Sequence, residues 1–498
     1  MRERGLDPEY SDSAHQQAMT TDGAAADQGL RDLRMLPWCS IDNGEGEEVS
    51  SRDLDQLSSA SLVDGAITVR IAISDVDALV CRDCPADIQA LRNTTTVYCA
   101  SKTYPMIDPR FSENLTSLGP DEDRLAVVTE MRFGTDGDDL TDFSVYRAVV
   151  RSRAKLNYQA TGDWLADRRG PPVALISQDD VRESLLLQDQ VSQKFKQHRR
   201  AAGSLALESL EARAATRAGK VLAIRGQLRN RATELIENLM IACNGCTSRY
   251  LAAQHFPSLQ RVVRKPKFWS RIVELASLTG SHLPEHPDSG CLQRFLEKRR
   301  ADDPVTFPDL CLSVLKLLGR GEYVVERPGQ PAIGHFGLAV REYNHSTAPN
   351  RRYPDLITQR LVKACLGGQP CPYSYLELEQ LAKHCNQQES NAKKVERQTE
   401  KSAAALMLAG RIGQVFQVVV SGVNQSATWV RMLKMPVEGM FHGHARLGDQ
   451  LTVKLVQTDV AKGFIDFAPV GVRGEDGPPV RRPLGGYPAP RHQNGKVH

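Results

Sequence analysis

The sequence predicts an α+β fold, with strand-like segments first, helical segments second and a small all-β module last. Three observations carry this. Residues 66–73 form a dense apolar, β-branched run that suits a buried strand. Leu235, Ile236, Leu239, Met240 and Cys243 recur at helical spacing and mark a core-facing stripe. Segments 415–420, 428–432, 451–456 and 464–467 alternate with glycine-containing turns, at the strand density of a small β-barrel of OB type.

Each element follows in order. Residues 1–30 are acidic, alanine-rich and without an apolar core, and are expected to be disordered or weakly helical. From 36 to 80 the pattern is that of strands. A short strand is expected over 94–97, ending at Tyr98, and segments 125–128 and 143–150 continue the sheet. Helical patterning fills roughly residues 178–320, and a second helical block runs to about residue 411. No βαβ alternation and no internal repeat is present. The expected organisation is a disordered segment over 1–30, a catalytic domain over 31–410, a barrel over 411–470 and a Pro/Gly/Arg-rich disordered tail over 471–498.

Composition narrows the function classes. The net charge of +3 excludes a global basic field, so a nucleic-acid site would be a local channel. No apolar run is long enough to span a bilayer, and the N-terminus does not read as a signal peptide. The eleven scattered cysteines fit reduced thiols and a cytoplasmic location better than a disulfide framework. Two CxxC pairs, Cys81/Cys84 and Cys243/Cys246, could supply four zinc thiolates, but buried or incidental thiols are the better reading. Phosphate-binding loops, dinucleotide-binding glycine patterns, serine-hydrolase elbows and His-rich metal motifs are absent from the sequence.

The residues with the most chemistry lie at 343–355. Arg351 and Arg352 follow Pro349, stand between Tyr343 and Tyr353, and lead to Asp355; His345 lies in the same stretch. Guanidinium forks match phosphate oxygens, and tyrosine faces offer stacking surfaces. The bland alternative is a structural Arg–Tyr cluster at a helix start. Upstream, Asp42, Asp53 and Asp55 could form one oxygen-rich site for a hard divalent cation, although an Asp-rich loop alone is more often a solvated turn.

This stretch resembles the signature of the ribonuclease II family (the RNB catalytic domain), Tyr-x-His-Phe-Thr-Ser-Pro-Ile-Arg-Arg-Tyr-x-Asp, from which Ser346, Ala348 and Asn350 depart. The family also carries one aspartate followed by Asp-x-Asp-Asp. Asp42, Asp53 and Asp55 fall on its first three carboxylates, and Gln56 falls on the fourth. Segments 104–106 and 112–118 and the helix 235–244 are similar to further family motifs. The 413–467 module resembles the OB-fold RNA-binding domain that often closes such chains.

The resemblance implies a 3′→5′ exoribonuclease that hydrolyses single-stranded RNA to nucleoside 5′-monophosphates. Magnesium would be held by Asp42, Asp53, Asp55 and Gln56, with manganese also suited to oxygen ligands. Asp55 and Arg351 would be catalytic, and Arg351 would stabilise charge on the scissile phosphate. The expected RNA contacts are Tyr98, Glu237, His345, Arg351, Arg352 and Tyr353, with Phe416, Trp429 and Arg431 in the barrel. Glu237 is also a candidate to contact Arg351 or the RNA sugar. About thirty-five residues before the catalytic sequence leave no room for N-terminal cold-shock barrels, which implies a short family branch; a monomer is expected. Gln56 motivates an alternative, a catalytically impaired RNA-binding protein of the same fold; a scaffold that does not bind RNA has less support.

Overall fold

The computed structural model describes residues 1–470 except 24–29, 46–47, 50, 135, 138, 209–211, 218–219, 227–228 and 425. The expected 471–498 tail lies outside the described residues. Seven strands form the central sheet: β1 (Arg31–Asp32), β2 (Cys39–Asp42), β3 (Gln56–Val63), β4 (Ala66–Ser74), β5 (Asp123–Phe133), β6 (Leu140–Arg151) and β7 (Ala154–Asn157). Their order is β1-β6-β5-β4-β3-β2-β7. The two outer pairs are parallel and the rest antiparallel. Asp64 and Gly65, both at positive φ, make the tight turn between β3 and β4, where glycine costs no Cβ clash.

Period-two alternation gives the sheet two apolar faces. Ile67, Val69, Ile71 and Ile73 of β4 join Cys39, Ile41, Met131 and Phe133 under three helices, α3 (Tyr158–Leu165), α4 (Asp179–Ala201) and α5 (Arg231–Ala253), which follow α1 (Asp12–Thr20) and α2 (Pro85–Asn93) in the chain. Ala72 points the other way, into a cluster with Trp38, Leu57, Ala126, Val128 and Ala148. Asn230 opens α5 with a reciprocal capping box to Thr233. The predicted Leu235/Ile236/Leu239/Cys243 stripe is buried, as its spacing requires. Cys243 and Cys246 lie in this core, whereas Cys84 lies at the edge of another, so the two CxxC pairs belong to different parts of the fold.

Three sequence expectations need correction. Residues 1–30 read as disordered or weakly helical; the structure instead docks a well-formed helix, Asp12–Thr20, capped by Ser11 and packed through the buried Ala14 and Ala18 on the helix Pro85–Asn93. Leu6 is also buried, and Asn93 hydrogen-bonds the backbone of Asp7 on both sides. Two small alanines make a weak local signal, so the order comes from docking. The 94–97 strand begins later, because Thr94 is a left-handed cap that ends a helix; only Val97–Tyr98 is strand, paired with Thr103–Tyr104. The helical section 178–320 is broken by an antiparallel pair, Ala212–Arg217 with Lys220–Gly226, and by Ser258–Val262, which pairs with Glu322–Glu326. The Ser258–Val262 partner lies some sixty residues away, beyond any local periodicity.

A 35-residue helix, Tyr375–Ala409, joins the two domains. Leu378, Ala382 and Cys385 pack into the first domain, and Ala404, Ala405 and Leu408 pack beneath the barrel. The barrel is closed by Val415–Val423, Thr428–Met432, Glu438–Phe441, Gln450–Asp459 and Phe464–Pro469. Among the described residues no helix is long and apolar enough to cross a membrane.

Candidate active site

The signature arginines are held by backbone pairing to a distant segment. Thr96 N–H donates to Arg351 O (3.0 Å) and Tyr353 N–H donates to Thr94 O (2.8 Å). An isolated bridge joins Thr95 to Arg352. The left-handed cap at Thr94 turns the chain so that 95–98 runs beside the signature, which brings Tyr98 to Arg351. From the other side, Ser346 donates through both its N–H and its hydroxyl to Asn244 Oδ1 of α5 (2.8 Å each).

Asp55 stands just ahead of β3 and is 1% exposed. Its Oδ2 accepts from Arg351 Nε at 2.9 Å, and its Oδ1 accepts from the Asn350 N–H at 3.0 Å. Burial pushes the Asp55 carboxyl up to about 6; Arg351 opposes the rise and the neighbouring Asp53 adds to it. Asp53 is raised as well, chiefly by burial, with Arg351 opposing and Asp42 contributing. Burial works against the charge on Arg351, but Tyr98, Asp55 and Asp42 outweigh it and hold its pKa above the ordinary value. The Arg351 side chain is 42% exposed, so guanidinium donors remain open to solvent while Nε is used by Asp55. Tyr98 is 44% exposed beside it. A buried carboxylate, a half-open guanidinium and an open aromatic face thus adjoin one another.

The four expected metal residues are not assembled as one set. Among the described residues, no group of three or more His, Cys, Asp or Glu side chains is placed to hold one ion. Both Asp55 oxygens are taken by Arg351 and Asn350, and Gln56 is buried at the head of β3. What remains is the pair Asp42 and Asp53, close enough to repel one another. Asp42 accepts from Ser51 Oγ at 2.7 Å and sits at the end of β2. Two hard oxygen donors with mutual repulsion fit a divalent cation that keeps much of its water shell.

Several expected RNA contacts are structural instead. Tyr353 is 3% exposed in the core, so no base can stack on it. Arg352 donates to Asp355 Oδ1 at 2.7 Å, and that carboxylate also takes the Ala348 N–H. The bland reading therefore holds for the second arginine, while the first pairs with Asp55 and stays half exposed. His345 bonds Tyr323 through Nδ1 (2.8 Å) and packs edge-on against Tyr323 and Tyr343. Burial and the nearby Arg352 and Arg261 keep its imidazole neutral. Glu237 pairs with Arg229 in a separate basic cavity, whose lining includes neither Asp55 nor Arg351. In the barrel, Phe416 faces inward against Phe467, because a small barrel is filled by its own side chains. Arg431 is spent on Asp309 of another domain, through Nε at 2.8 Å and Nη2 at 2.7 Å. Trp429 stays half-buried on the outer side of its strand, packed near Gly422.

The residues missed from sequence are those that position others. Asn350 was visible only as a departure from the signature; it is 0% exposed and its Oδ1 accepts from Thr116 Oγ1 at 2.6 Å. Asn244 stands at the end of the 235–244 motif, where nothing in the sequence marks it as the partner of Ser346. Nothing in the sequence marks Asp309 as the partner of Arg431.

Sheet, signature loop and barrel together define an RNB-domain protein. The family model described as RNB domain matches residues 30–368, and one described as RNase II-type exonuclease C-terminal S1 domain matches 414–470. The chain belongs to the RNB domain family. It is similar to "Ribonuclease R" of Thermotoga maritima, at 29% identity over 88% of this chain and 64% of that protein. The Escherichia coli "Ribonuclease R" is also 29% identical, over 89% of this chain and 58% of that protein. The chain thus spans about three-fifths of the length of the curated relatives it matches. The apo structure of Mycoplasma genitalium RNase R superposes with a TM-score of 0.83 at 22% identity, over 94% of this chain and 77% of that one, which places the fold.

Proposed function

We propose that the protein is a divalent-cation-dependent 3′→5′ exoribonuclease that hydrolyses single-stranded RNA to nucleoside 5′-monophosphates. The observation that carries this is the 2.9 Å Asp55–Arg351 ion pair beside the open face of Tyr98. Arg351 would receive the scissile phosphate on its free donors and stabilise charge as it develops. Tyr98 would take the terminal base by stacking, worth ~1–3 kcal/mol and indifferent to sequence. Asp55, ionised at neutral pH, would hold the arginine in place and remain available to accept a proton. Asp42 and Asp53 would hold magnesium or manganese, which when bound activates water and neutralises phosphate charge. Eleven free cysteines are compatible with a reducing, cytoplasmic location.

The test uses the purified protein, a 5′-labelled single-stranded RNA and excess magnesium, with Asp55→Asn in parallel. Stepwise 3′ shortening by wild type alone supports the reading. A second reading, an RNA-binding protein with impaired catalysis, is favoured by Gln56 and by the absence of a three-carboxylate group among the described residues. RNA bound but left intact by both proteins, in magnesium and in manganese, would establish it.

A further inference from the structure

The two CxxC pairs of the sequence differ in access. Cys243 and Cys246 lie inside α5, 1% and 0% exposed, and burial pushes their thiols up to about 12 and about 11. Buried thiols of that kind are inert. Cys81 is exposed and Cys84 half-buried. They bracket a tight turn: the Cys84 N–H donates to Cys81 O at 3.2 Å, and Asp83, third in the turn, has a φ of +64°. Such a turn keeps its end Cα atoms within about 7 Å, and a disulfide needs about 4.4–6.8 Å. The two thiols face one another, since Cys84 is the hydrogen-bond partner of the Cys81 side chain.

The turn is fixed by its neighbours. Arg82 donates to Pro372 O and to Glu377 Oε1, and its guanidinium lies 4.5 Å from the centre of the Tyr373 ring. The Asp83 N–H donates to Asp87 Oδ2 at 2.8 Å. Gln17 of α1 donates through Nε2 to Cys84 Sγ at 3.3 Å, and its Oε1 accepts the Ala86 N–H at 2.9 Å. Val80 O and Asp87 Oδ1, on either side of the turn, both accept from Arg360 at 2.8 Å. Arg360 belongs to the helix Tyr353–Leu366 that follows the signature arginines, so the Cys81–Cys84 turn adjoins an anchor of that helix. Zinc would need further ligands, and among the described residues no group of three or more His, Cys, Asp or Glu side chains is placed to hold one ion. Two facing thiols at disulfide spacing, one of them open to solvent, suit redox chemistry instead.

We propose that Cys81 and Cys84 are a redox-active dithiol, which a low-molecular-weight disulfide converts to an internal disulfide. The exposed Cys81 thiolate attacks one sulfur of the small disulfide, and the other sulfur leaves as a thiolate. Cys84, as its thiolate, then attacks Cys81 Sγ in the mixed disulfide and expels the second small thiolate. The two protons lost by the cysteines pass through solvent to the departing thiolates. The protein thus gives up two electrons, and the small disulfide is reduced to two thiols. Burial, Cys84 and Asp77 raise the Cys81 thiol while Arg360 opposes them, so the first attack is slow at neutral pH. Neither cysteine enters the catalytic reading, and the inference stands or falls separately from it.

The test incubates the folded full chain with graded ratios of oxidised to reduced glutathione until no further change occurs. Each sample is quenched in acid, unfolded and alkylated, and its cysteines are mapped by mass spectrometry. Cys81 and Cys84 should lose their alkylation together and appear as one internal disulfide. Cys243 and Cys246 should stay fully alkylated, which reports that the fold remained closed during oxidation. Cys84→Ser, which keeps a good helix cap, should stop at glutathione joined to Cys81. Cys81→Ser should leave Cys84 unmodified over the same period. The proposal is overturned if both thiols stay alkylated at the most oxidising ratio, or if glutathione stays on Cys81 of the wild type with no internal disulfide. It is also overturned if the disulfide formed joins either thiol to Cys371, in the loop beneath Arg82.

Discussion

Replacing Arg431 should destabilise the protein without weakening RNA binding. Arg431 projects from the barrel strand Thr428–Met432 and grips Asp309, in the first turn of the helix Phe307–Leu318, with two hydrogen bonds. The side chains are 13% and 8% exposed. Arg431→Ala leaves the Asp309 carboxylate buried without its partner, a loss on the order of 3–5 kcal/mol. The position of Asp309 near a helix N-terminus returns only part of this, ~0.3–1 kcal/mol. Asp309→Ala strands the arginine instead, which can partly swing to solvent, so its cost should be smaller. The double variant should lose less than the sum, because replacing a whole buried pair is often close to neutral. Urea unfolding of the four proteins gives the coupling energy. A phosphate contact would behave differently: its removal would reduce the salt dependence of RNA affinity by ~0.7 in log–log slope for single strands. A loss in Arg431→Ala of less than ~1 kcal/mol, or a clear fall in that slope, would refute the interdomain clamp.

Three more outcomes are expected. Asp55 moves from 3.8 unfolded to about 6 folded, so the folded state binds the extra proton; wild type should lose roughly 3 kcal/mol relative to Asp55→Asn as pH rises from about 4 to about 6, then hold level. Paired denaturation curves in EDTA check this, and parallel pH profiles for the two proteins would contradict it. Tyr98→Ala should weaken single-stranded RNA binding by ~1–3 kcal/mol with little effect on stability, whereas Tyr353→Ala should cost ~3–5 kcal/mol of stability; filter binding and thermal melts on both variants separate a stacking face from a core ring. Gln56→Asp should lower the magnesium concentration for half-maximal cleavage, since it adds a charge beside Asp55; an unchanged requirement would show that position 56 lies outside the metal's reach.

Much of the site was legible because it is local. Asp42, Asp53 and Asp55 lie within fourteen residues of one another and Arg351 sits in a contiguous signature, so the resemblance to the ribonuclease II family, rather than spacing alone, proposed them together. The errors share a cause. Tyr353 and Arg352 looked like RNA contacts because aromatic and cationic side chains bind RNA when exposed, and exposure is not written in residue type. Tyr353 begins the helix Tyr353–Leu366, whose first turn is buried, and Arg352 meets Asp355 one turn later. Phe416 was misjudged in the same way, by a closed barrel that turns it inward.

The sequence by itself determined the α+β order, the barrel and the identity of the chemical groups, because periodicity and side-chain chemistry act over a few residues. Only the tertiary structure decided which of those groups are free to act. It placed Asp55 in the interior, gave one arginine to it and the next to Asp355, and spent Arg431 on Asp309. Burial and pairing arise between segments tens to hundreds of residues apart, so no local pattern encodes them.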